Sequence, residues 1–293
     1  MVSRRSFVAL SACVFPGVLL AGPERLSSLP TKFANLEKLN GGRLGVAVTD
    51  TATGEHVEHR GYERFPMCST FKFLLASAVL QRVDHHQERL DRALAIPRPP
   101  LLGHSPLTEP HAGATMTVAD LCHAVLNQSD NTAANVLLET IGGPPGITQF
   151  ARAIGDDVTR LDRTEPDLNE SLNHDPRDTT SPLAMAANLR RILLGDVLAP
   201  ALRTRLTTWM QDSQTGLDRL RKRLPAAWRA ADKTGSNGTH TSNDIAIFWP
   251  GGRAPVVITA YITQCPGPED KRAAVLADIG NLVMKAMGGP ISP

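Results

Sequence analysis

The chain reads Arg43-Leu44-Gly45-Val46-Ala47-Val48-Thr49-Asp50 near its beginning, and this alternation predicts a β-strand. A turn follows at Ala52-Thr53-Gly54, and residues 56–60 are the expected hairpin partner. Strand-like runs return only late in the chain, at residues 228–234, 244–249 and 256–263. We therefore expect one sheet that takes its strands from both ends of the chain.

The middle of the chain has helical periodicity instead. Apolar residues fall at helical spacing over 70–86, 117–127, 132–141, 182–194 and 201–210, and again over 270–287. A helical block inserted into a sheet built from both chain ends is an α+β pattern. The prediction is a sheet lobe from residues 40–66 and 212–290, a helical lobe from 67–211, and a ligand groove between them.

The composition is that of an ordinary globular protein, with 293 residues of which 42% are hydrophobic and 20% charged. The formal net charge of +2 at pH 7 argues against a dedicated nucleic-acid binder. One local basic run, Arg219-Leu220-Arg221-Lys222-Arg223, is predicted to lie on a solvated helix face.

Residues 1–22 have the composition of an export signal. Ser3-Arg4-Arg5-Ser6-Phe7 precedes an apolar stretch over 8–20 that is too short to stay across a bilayer, and small residues follow before Pro23. The paired arginines indicate the twin-arginine pathway, although they also suit the basic start of a general secretory signal. Lipid attachment at Cys13 is an alternative that the short apolar stretch before it disfavours. The expected mature protein, residues 23–293, is periplasmic.

Reactive residue types are concentrated in short motifs. Three of these motifs are Ser69-Thr70-Phe71-Lys72, Ser129-Asp130-Asn131 and Lys233-Thr234-Gly235. A serine three residues before a lysine is expected roughly once by chance in such a chain, but each of the other two less than about a tenth of a time. Glu165 and Asn169 stand four residues apart in a polar, aperiodic loop over 160–180, and loops of that length are usually functional.

In this order the motifs resemble those of the class A serine β-lactamases, and the resemblance extends from about Asn40 to the last predicted helix. It implies the antiparallel α+β fold of that family, a β-lactam substrate, hydrolysis through a serine acyl-enzyme, no cofactor and a monomer. The nine histidines show neither His-x-His nor His-Glu-x-x-His spacing, so a zinc-dependent lactamase is not expected.

Ser69 and Lys72 form a chemically sensible pair in their own right. A serine hydroxyl becomes a good nucleophile only when a base takes its proton. Lys72 lies one helical turn after Ser69 and therefore projects from the same face. Desolvation and the charges of Glu165 and Lys233 can shift Lys72 toward its neutral form. Whether Lys72 or Glu165 activates the serine stays open at this point.

The resemblance implies roles for the other motif residues. The backbone N–H groups of Ser69 and Ser236 would form an oxyanion hole, and Ser129 would pass a proton to the ring nitrogen. Glu165 and Asn169 would hold the water that hydrolyses the acyl-enzyme. The implied substrate-binding residues are Lys233, Thr234 and Ser236 at the carboxylate, Gly235 where the substrate backbone approaches, Asn131 at the side-chain amide, His104 at the cleft mouth, and Arg219 as a second cation for the carboxylate.

The loop that carries Glu165 is implied to be closed by an ion pair between Arg163 and Asp178. This contact follows from the family resemblance, because the two residues flank the aperiodic stretch at matching positions.

The cysteines do not indicate a disulfide framework. Some members of the family join the cysteine before the nucleophile to one just after Lys-Thr-Gly, but here Ser236 and Asn237 follow that motif. Cys68, Cys122 and Cys265 are therefore expected to be free thiols.

Two other functions share a serine–lysine site, namely a cell-wall D-alanyl-D-alanine carboxypeptidase and a penicillin-binding sensor. Acylation needs only the serine, the lysine and the oxyanion donors, whereas hydrolysis of the acyl-enzyme also needs an activated water. The pairing of Glu165 with Asn169 favours hydrolysis.

Overall fold

The computed structural model describes residues 25–289. The predicted export signal over 1–22, including Cys13, lies outside the described residues. Within the described part of the chain, no helix is long and apolar enough to cross a membrane.

The helices of residues 25–289 are α1 (Leu29–Asn40), α2 (Phe71–Asp84), α3 (Val118–Asn127), α4 (Asn131–Thr140), α5 (Pro144–Ala153), α6 (Pro182–Leu194), α7 (Pro200–Gln211) and α8 (Glu269–Ala286). The strands are β1 (Arg43–Asp50), β2 (His56–His59), β3 (Phe65–Pro66), β4 (Ala93–Ala95), β5 (Thr115–Thr117), β6 (Thr179–Thr180), β7 (Arg229–Ser236), β8 (Ser242–Trp249) and β9 (Val256–Thr263).

The central sheet has five strands in the order β2-β1-β9-β8-β7, and all neighbours in it are antiparallel. Strand β1 pairs along its whole length with β9, from Arg43 opposite Thr263 to Asp50 opposite Val256. The predicted α+β sheet built from both ends of the chain is therefore confirmed.

Each face of the sheet carries its own hydrophobic core, because successive side chains of a strand point to opposite faces. In β1, Ala47 packs into the core formed with the helical block, whereas Val46 and Val48 pack into the core formed with α1 and α8. The helical block thus shares its core with one face of the sheet. Helix α6 packs directly on this face of the sheet, since it contacts β1, β8 and β9.

Two helices, α1 and α5, were not predicted, although the sequence of α1 carries a helical signal. In α1, Leu29 and Phe33 are buried and Leu36 packs beside them, a spacing of four and three residues that does indicate a helix. Helix α1 contacts the sheet lobe although it precedes residue 40. Helix α5 begins at Pro144-Pro145 after two glycines, which resembles a turn in sequence, yet proline is well tolerated in the first turn of a helix.

Candidate active site

Ser69 lies in a tight 3₁₀ turn, Cys68–Thr70, that leads directly into α2. The Thr70 hydroxyl donates a hydrogen bond of 2.9 Å to the carbonyl of Met67 and so fixes the turn. One turn later, Lys72 Nζ lies 3.0 Å from Ser69 Oγ. The serine and the lysine therefore face each other as the spacing of the motif predicts.

Lys72 is buried completely and is surrounded by oxygen atoms. Its Nζ donates to the Ser129 carbonyl at 2.7 Å and to Asn131 Oδ1 at 2.6 Å, and it lies 2.9 Å from Glu165 Oε1. Burial lowers the pKa of Lys72, while the Glu165 carboxylate opposes that shift. The ammonium thus sits where its charge is disfavoured by desolvation and favoured by its acidic partner.

Glu165 completes the group around the serine. Its Oε1 is 3.3 Å from Ser69 Oγ, and its Oε2 accepts a hydrogen bond of 2.5 Å from Asn169 Nδ2. The backbone of Glu165 is held by Asn135 of α4, whose Nδ2 donates to the Glu165 carbonyl at 2.9 Å and whose Oδ1 accepts from the Glu165 N–H at 3.0 Å. One carboxylate therefore reaches the nucleophile, the lysine and Asn169 at the same time.

Ser129 connects the two buried lysines. Lys233 Nζ donates to Ser129 Oγ at 3.0 Å, and Lys72 Nζ is 3.4 Å from the same oxygen. Ser129 has a φ of 60°, an unusual value for a residue with a side chain. Asp130 supports this conformation, since its buried carboxylate accepts from the N–H groups of Thr108 at 2.9 Å and Ala133 at 2.9 Å. The middle residue of Ser-Asp-Asn is thus an anchor for its two neighbours.

Lys233 is also buried, and β7 places it beside the nucleophile. Burial, together with the charge of Lys72, holds the pKa of Lys233 well below its usual range. Its Nζ makes a further hydrogen bond of 2.7 Å to the Thr234 carbonyl. The amines of Lys72 and Lys233, whose charge is disfavoured by burial, therefore flank the hydroxyl of Ser129.

Gly235 is required by the protein's own packing. A Cβ atom at this position would lie 2.7 Å from the Met67 carbonyl oxygen and 3.1 Å from the Ser69 nitrogen. The missing side chain of Gly235 thus lets β7 approach the turn of the nucleophile, and the approach of a substrate backbone at the same residue stays a prediction. Asn243 of β8 fixes the same approach, since its Nδ2 donates to the Met67 carbonyl at 3.0 Å.

Ser69 and Ser129 open into a cleft with a volume of about 390 Å³. The cleft is lined by Ser69, His104, Ser129, Asn131, Asn169, Thr215, Arg219, Thr234, Gly235, Ser236, Asn237, Gly238 and Glu269. His104 is exposed at its edge, with Nε2 2.7 Å from the Gln128 carbonyl. Thr234 Oγ1 and Ser236 Oγ contact Thr215 Oγ1 at 2.6 Å and the Gly238 N–H at 3.0 Å, respectively.

Arg219 lines this cleft, but most of its donors are occupied. Its Nη1 donates to the carbonyls of Gly235 at 3.0 Å and Asn243 at 2.8 Å, and its Nη2 lies 2.9 Å from Glu269 Oε1. The guanidinium therefore supports β7 as well as facing the cleft.

The predicted solvated face over residues 219–223 is wrong for Arg221, which is turned inward, whereas Arg219 was expected at the cleft and is buried there. The side chain of Arg221 is 10% exposed, and its Nε lies 2.9 Å from Oδ1 of the fully buried Asp232. Burial raises the pKa of Asp232 to about 6, against the opposing charge of Arg221. Arg223 behaves as predicted, because it is exposed and pairs with Asp278.

The loop around Glu165 is closed by charge pairs. Arg163 Nε lies 2.6 Å from Asp178 Oδ2, and the same carboxylate accepts from the N–H groups of Asp162 at 2.8 Å and Arg163 at 2.9 Å. Arg163 also contacts Glu170. The pair that the family resemblance implied is thus present and its carboxylate is buried.

The three cysteines of the described residues are free and buried. Cys68 Sγ lies 3.7 Å from Ser171 Oγ in the loop, and burial raises the pKa of the Cys122 thiol well above its usual range. Among residues 25–289 no cluster of three or more histidine, cysteine or acidic side chains could hold a metal ion.

Sequence reasoning missed several residues that shape this site, namely Asn135, Thr215, Asp232 and Glu269. Asp232 directly precedes Lys233 and is charged within an apolar strand, which is a signal for a buried partner. Asn135, Thr215 and Glu269 carry no such signal, because each becomes important only through a contact with a distant segment.

Comparisons of the sequence and of the structure with known proteins all identify β-lactamases as similar. A sequence model of the β-lactamase enzyme family matches residues 28–287. β-Lactamase L2 of Stenotrophomonas maltophilia is 46% identical over 98% of this chain and 100% of its own length. Among solved structures, the class A β-lactamase of the last common ancestor of Gram-negative bacteria is 55% identical with a TM-score of 0.87, and 89% of this chain and 99% of that one are covered. A β-lactamase from Xanthomonas campestris is 49% identical with a TM-score of 0.88, covering 90% and 100%.

Proposed function

Because the chain belongs to the class A β-lactamase family and hydrolyses β-lactam antibiotics, an activity that confers resistance to them, we propose that its reaction runs through an acyl-enzyme on Ser69. The family membership favours turnover over the two other serine–lysine functions, the carboxypeptidase and the penicillin-binding sensor. The roles of individual residues are proposed below from the distances in the cleft.

In acylation, Ser69 Oγ attacks the carbonyl carbon of the β-lactam ring. Lys72 Nζ at 3.0 Å and Glu165 Oε1 at 3.3 Å both lie within reach of the serine proton. The developing oxyanion would be held by the N–H groups of Ser69 and Ser236, and preorganised donors of this kind are often the largest catalytic contribution.

Cleavage of the ring then requires a proton on the leaving nitrogen. Ser129 is suited to deliver it, because its hydroxyl lies 3.0 Å from Lys233 Nζ and 3.4 Å from Lys72 Nζ. The proton taken from Ser69 can return along this chain of groups, so that the lysines end the step in their starting state.

Deacylation rests on Glu165, and its position is the observation that carries the proposal. One carboxylate oxygen faces Ser69 at 3.3 Å, and the other is held by Asn169 at 2.5 Å. A water between Glu165, Asn169 and the ester would be activated by the carboxylate and would attack the acyl carbon. Hydrolysis releases the product and restores the Ser69 hydroxyl.

Substrate recognition is proposed for the rest of the cleft. Lys233, Thr234, Ser236 and Arg219 would bind the carboxylate of the drug, since a desolvated anion needs paired donors. Asn131 would bind its side-chain amide and His104 would pack on the side chain at the cleft edge.

We further propose that the protein acts as a monomer in the periplasm without a metal ion, exported through the twin-arginine signal of residues 1–22. The composition of that segment supports export.

The test is Glu165→Gln, with the exposed Glu139→Gln as its control. Intact-protein mass spectrometry after penicillin should show a persistent adduct on Ser69 only in Glu165→Gln, because a general base typically contributes about 10²–10⁴-fold. Steady turnover of nitrocefin should remain in the control. Turnover of Glu165→Gln at the wild-type rate would contradict the assignment.

A further inference from the structure

Glu269 brings a carboxylate into the part of the cleft where the carboxylate of a β-lactam is proposed to bind. It is the first residue of α8 and lines the same cleft as Thr234 and Ser236. Its Oε1 lies 2.9 Å from Arg219 Nη2. The arginine that lines this cleft is therefore already paired with an acid of the protein itself.

The N–H donors of Arg219 contact two kinds of acceptor, backbone carbonyls and a side-chain carboxylate. Nη1 is held by the carbonyls of Gly235 and Asn243, whereas Nη2 is held by Glu269, and the buried Nε has no hydrogen-bond partner. The two carbonyls that accept from Nη1 belong to β7 and β8, which are paired with each other. The contact with Glu269 is the one that a ligand can replace.

The two partners differ in how easily they can move. The Arg219 side chain is 8% exposed, while that of Glu269 is 43% exposed. A displaced Glu269 carboxylate would enter water and would remain near the N-terminus of α8, where negative charge is favoured. Replacing the Glu269 carboxylate by that of a ligand at Arg219 thus requires only the movement of the half-exposed Glu269 side chain.

Charge makes this exchange unfavourable for the substrate. With Glu269 in place, the positive charge of Arg219 is largely cancelled, and an incoming anion meets a like charge at the same guanidinium. Lys233 cannot compensate fully, because its Nζ is engaged by Ser129 and the Thr234 carbonyl.

We infer that Glu269 is a specificity-determining residue, a resident carboxylate that competes with the carboxylate of the substrate for Arg219 and so raises KM for anionic β-lactams. The inference rests on the proposed role of Arg219 as a substrate ligand. It predicts that the preference for substrates with a carboxylate over neutral ones, measured by KM, is smaller with Glu269 present than without it.

The experiment compares Glu269→Gln with Asp270→Asn, which removes one negative charge from the same helical turn at an exposed position. Steady-state kinetics are measured with benzylpenicillin and with its neutral methyl ester, and thermal melts establish that both variants fold. Glu269→Gln should lower KM for benzylpenicillin about two- to fivefold, a change typical of one partly exposed charge contact. KM for the ester should not change, and Asp270→Asn should affect neither substrate.

Three results would overturn the inference. They are an unchanged or higher KM for benzylpenicillin in Glu269→Gln, an equal fall for the ester, or an equal fall in Asp270→Asn. Arg219→Ala separates this failure from failure of the proposed carboxylate site. If Arg219→Ala raises KM for the acid but not for the ester while Glu269→Gln has no effect, Arg219 keeps its role and only the competition by Glu269 is refuted.

Discussion

Lys72 and Glu165 both reach the Ser69 hydroxyl, and pH can separate their contributions to acylation. Only a neutral Lys72 can accept a proton, and burial already lowers its pKa against the opposing carboxylate of Glu165. In Glu165→Gln that opposition is removed, so the pKa of Lys72 falls further. We expect the acylation rate of this variant to rise with pH through that lowered pKa and then to level off.

Stopped-flow measurement of acyl-enzyme formation across pH 4–9 checks this expectation. A rate that is uniformly low and shows no rising limb would assign the acylation base to Glu165 instead.

Arg221 is expected to matter for stability although its neighbours in sequence do not. Removing one partner of a buried ion pair leaves an uncompensated charge and typically costs about 3–5 kcal/mol. Arg221→Ala should lower the free energy of unfolding by about that amount, because Asp232 is fully buried. Arg223→Ala, which breaks an exposed pair, should cost less than about 1 kcal/mol.

Urea unfolding of the two variants under identical conditions provides the comparison. Equal, small losses of unfolding free energy in both variants would mean that Arg221 is not needed to neutralise the buried carboxylate of Asp232.

Site residues could be predicted from the sequence when their contacts are with residues close to them in the chain. Ser69 and Lys72 lie on one turn, so their contact follows from helix geometry alone. Arg221 and Arg223 look alike in the charge run, and only the contact of Arg221 with Asp232 of β7 distinguishes the buried side chain from the exposed one.

At the scale of elements, the loop that carries Glu165 is tied to the rest of the molecule by Asp178. We expect Arg163→Ser to lower Tm and to destabilise the protein by about 3 kcal/mol, since the Asp178 carboxylate is buried. The loosened loop should also admit bulkier cephalosporins, seen as a lower KM for them. Arg160→Ser, which removes a more exposed pair in the same loop, is the matched control.

Melting curves and a cephalosporin panel measure both effects. An Arg163→Ser variant with the Tm and the kinetics of Arg160→Ser would show that the pair does not hold the loop.

Regular elements were predictable where one periodicity runs without interruption. The bounds of β1, β9 and α6 agree with the predicted 43–50, 256–263 and 182–194. Strand β7 extends two residues beyond its predicted end, because Gly235 and Ser236 have no apolar side chain to mark them but pair with Asn243 and Ser242. The extension carries the proposed oxyanion donor, so the part of the strand that matters most for chemistry was the least visible.

At the scale of the whole molecule, two cores share one sheet, and we expect them to unfold together. Ile258→Ala opens a cavity in the core of α1 and α8, and Leu189→Ala opens one in the core of the helical block. Each should cost about 2–5 kcal/mol and should shift a single calorimetric transition. Two transitions, of which each variant moved only one, would show instead that the lobes melt independently.

The pairing of β1 with β9 also sets the time at which the enzyme can become active. A growing polypeptide exposes residues 43–50 early, but their partner strand at 256–263 leaves the ribosome some two hundred residues later. Until then β1 can pair only with β2, and the strand that bears Lys233 cannot be connected to them through β9. Pairings so distant in sequence form slowly, and an unpaired edge is prone to aggregate. The sheet, and with it the cleft, can therefore be complete only after residues 256–263 have been synthesised.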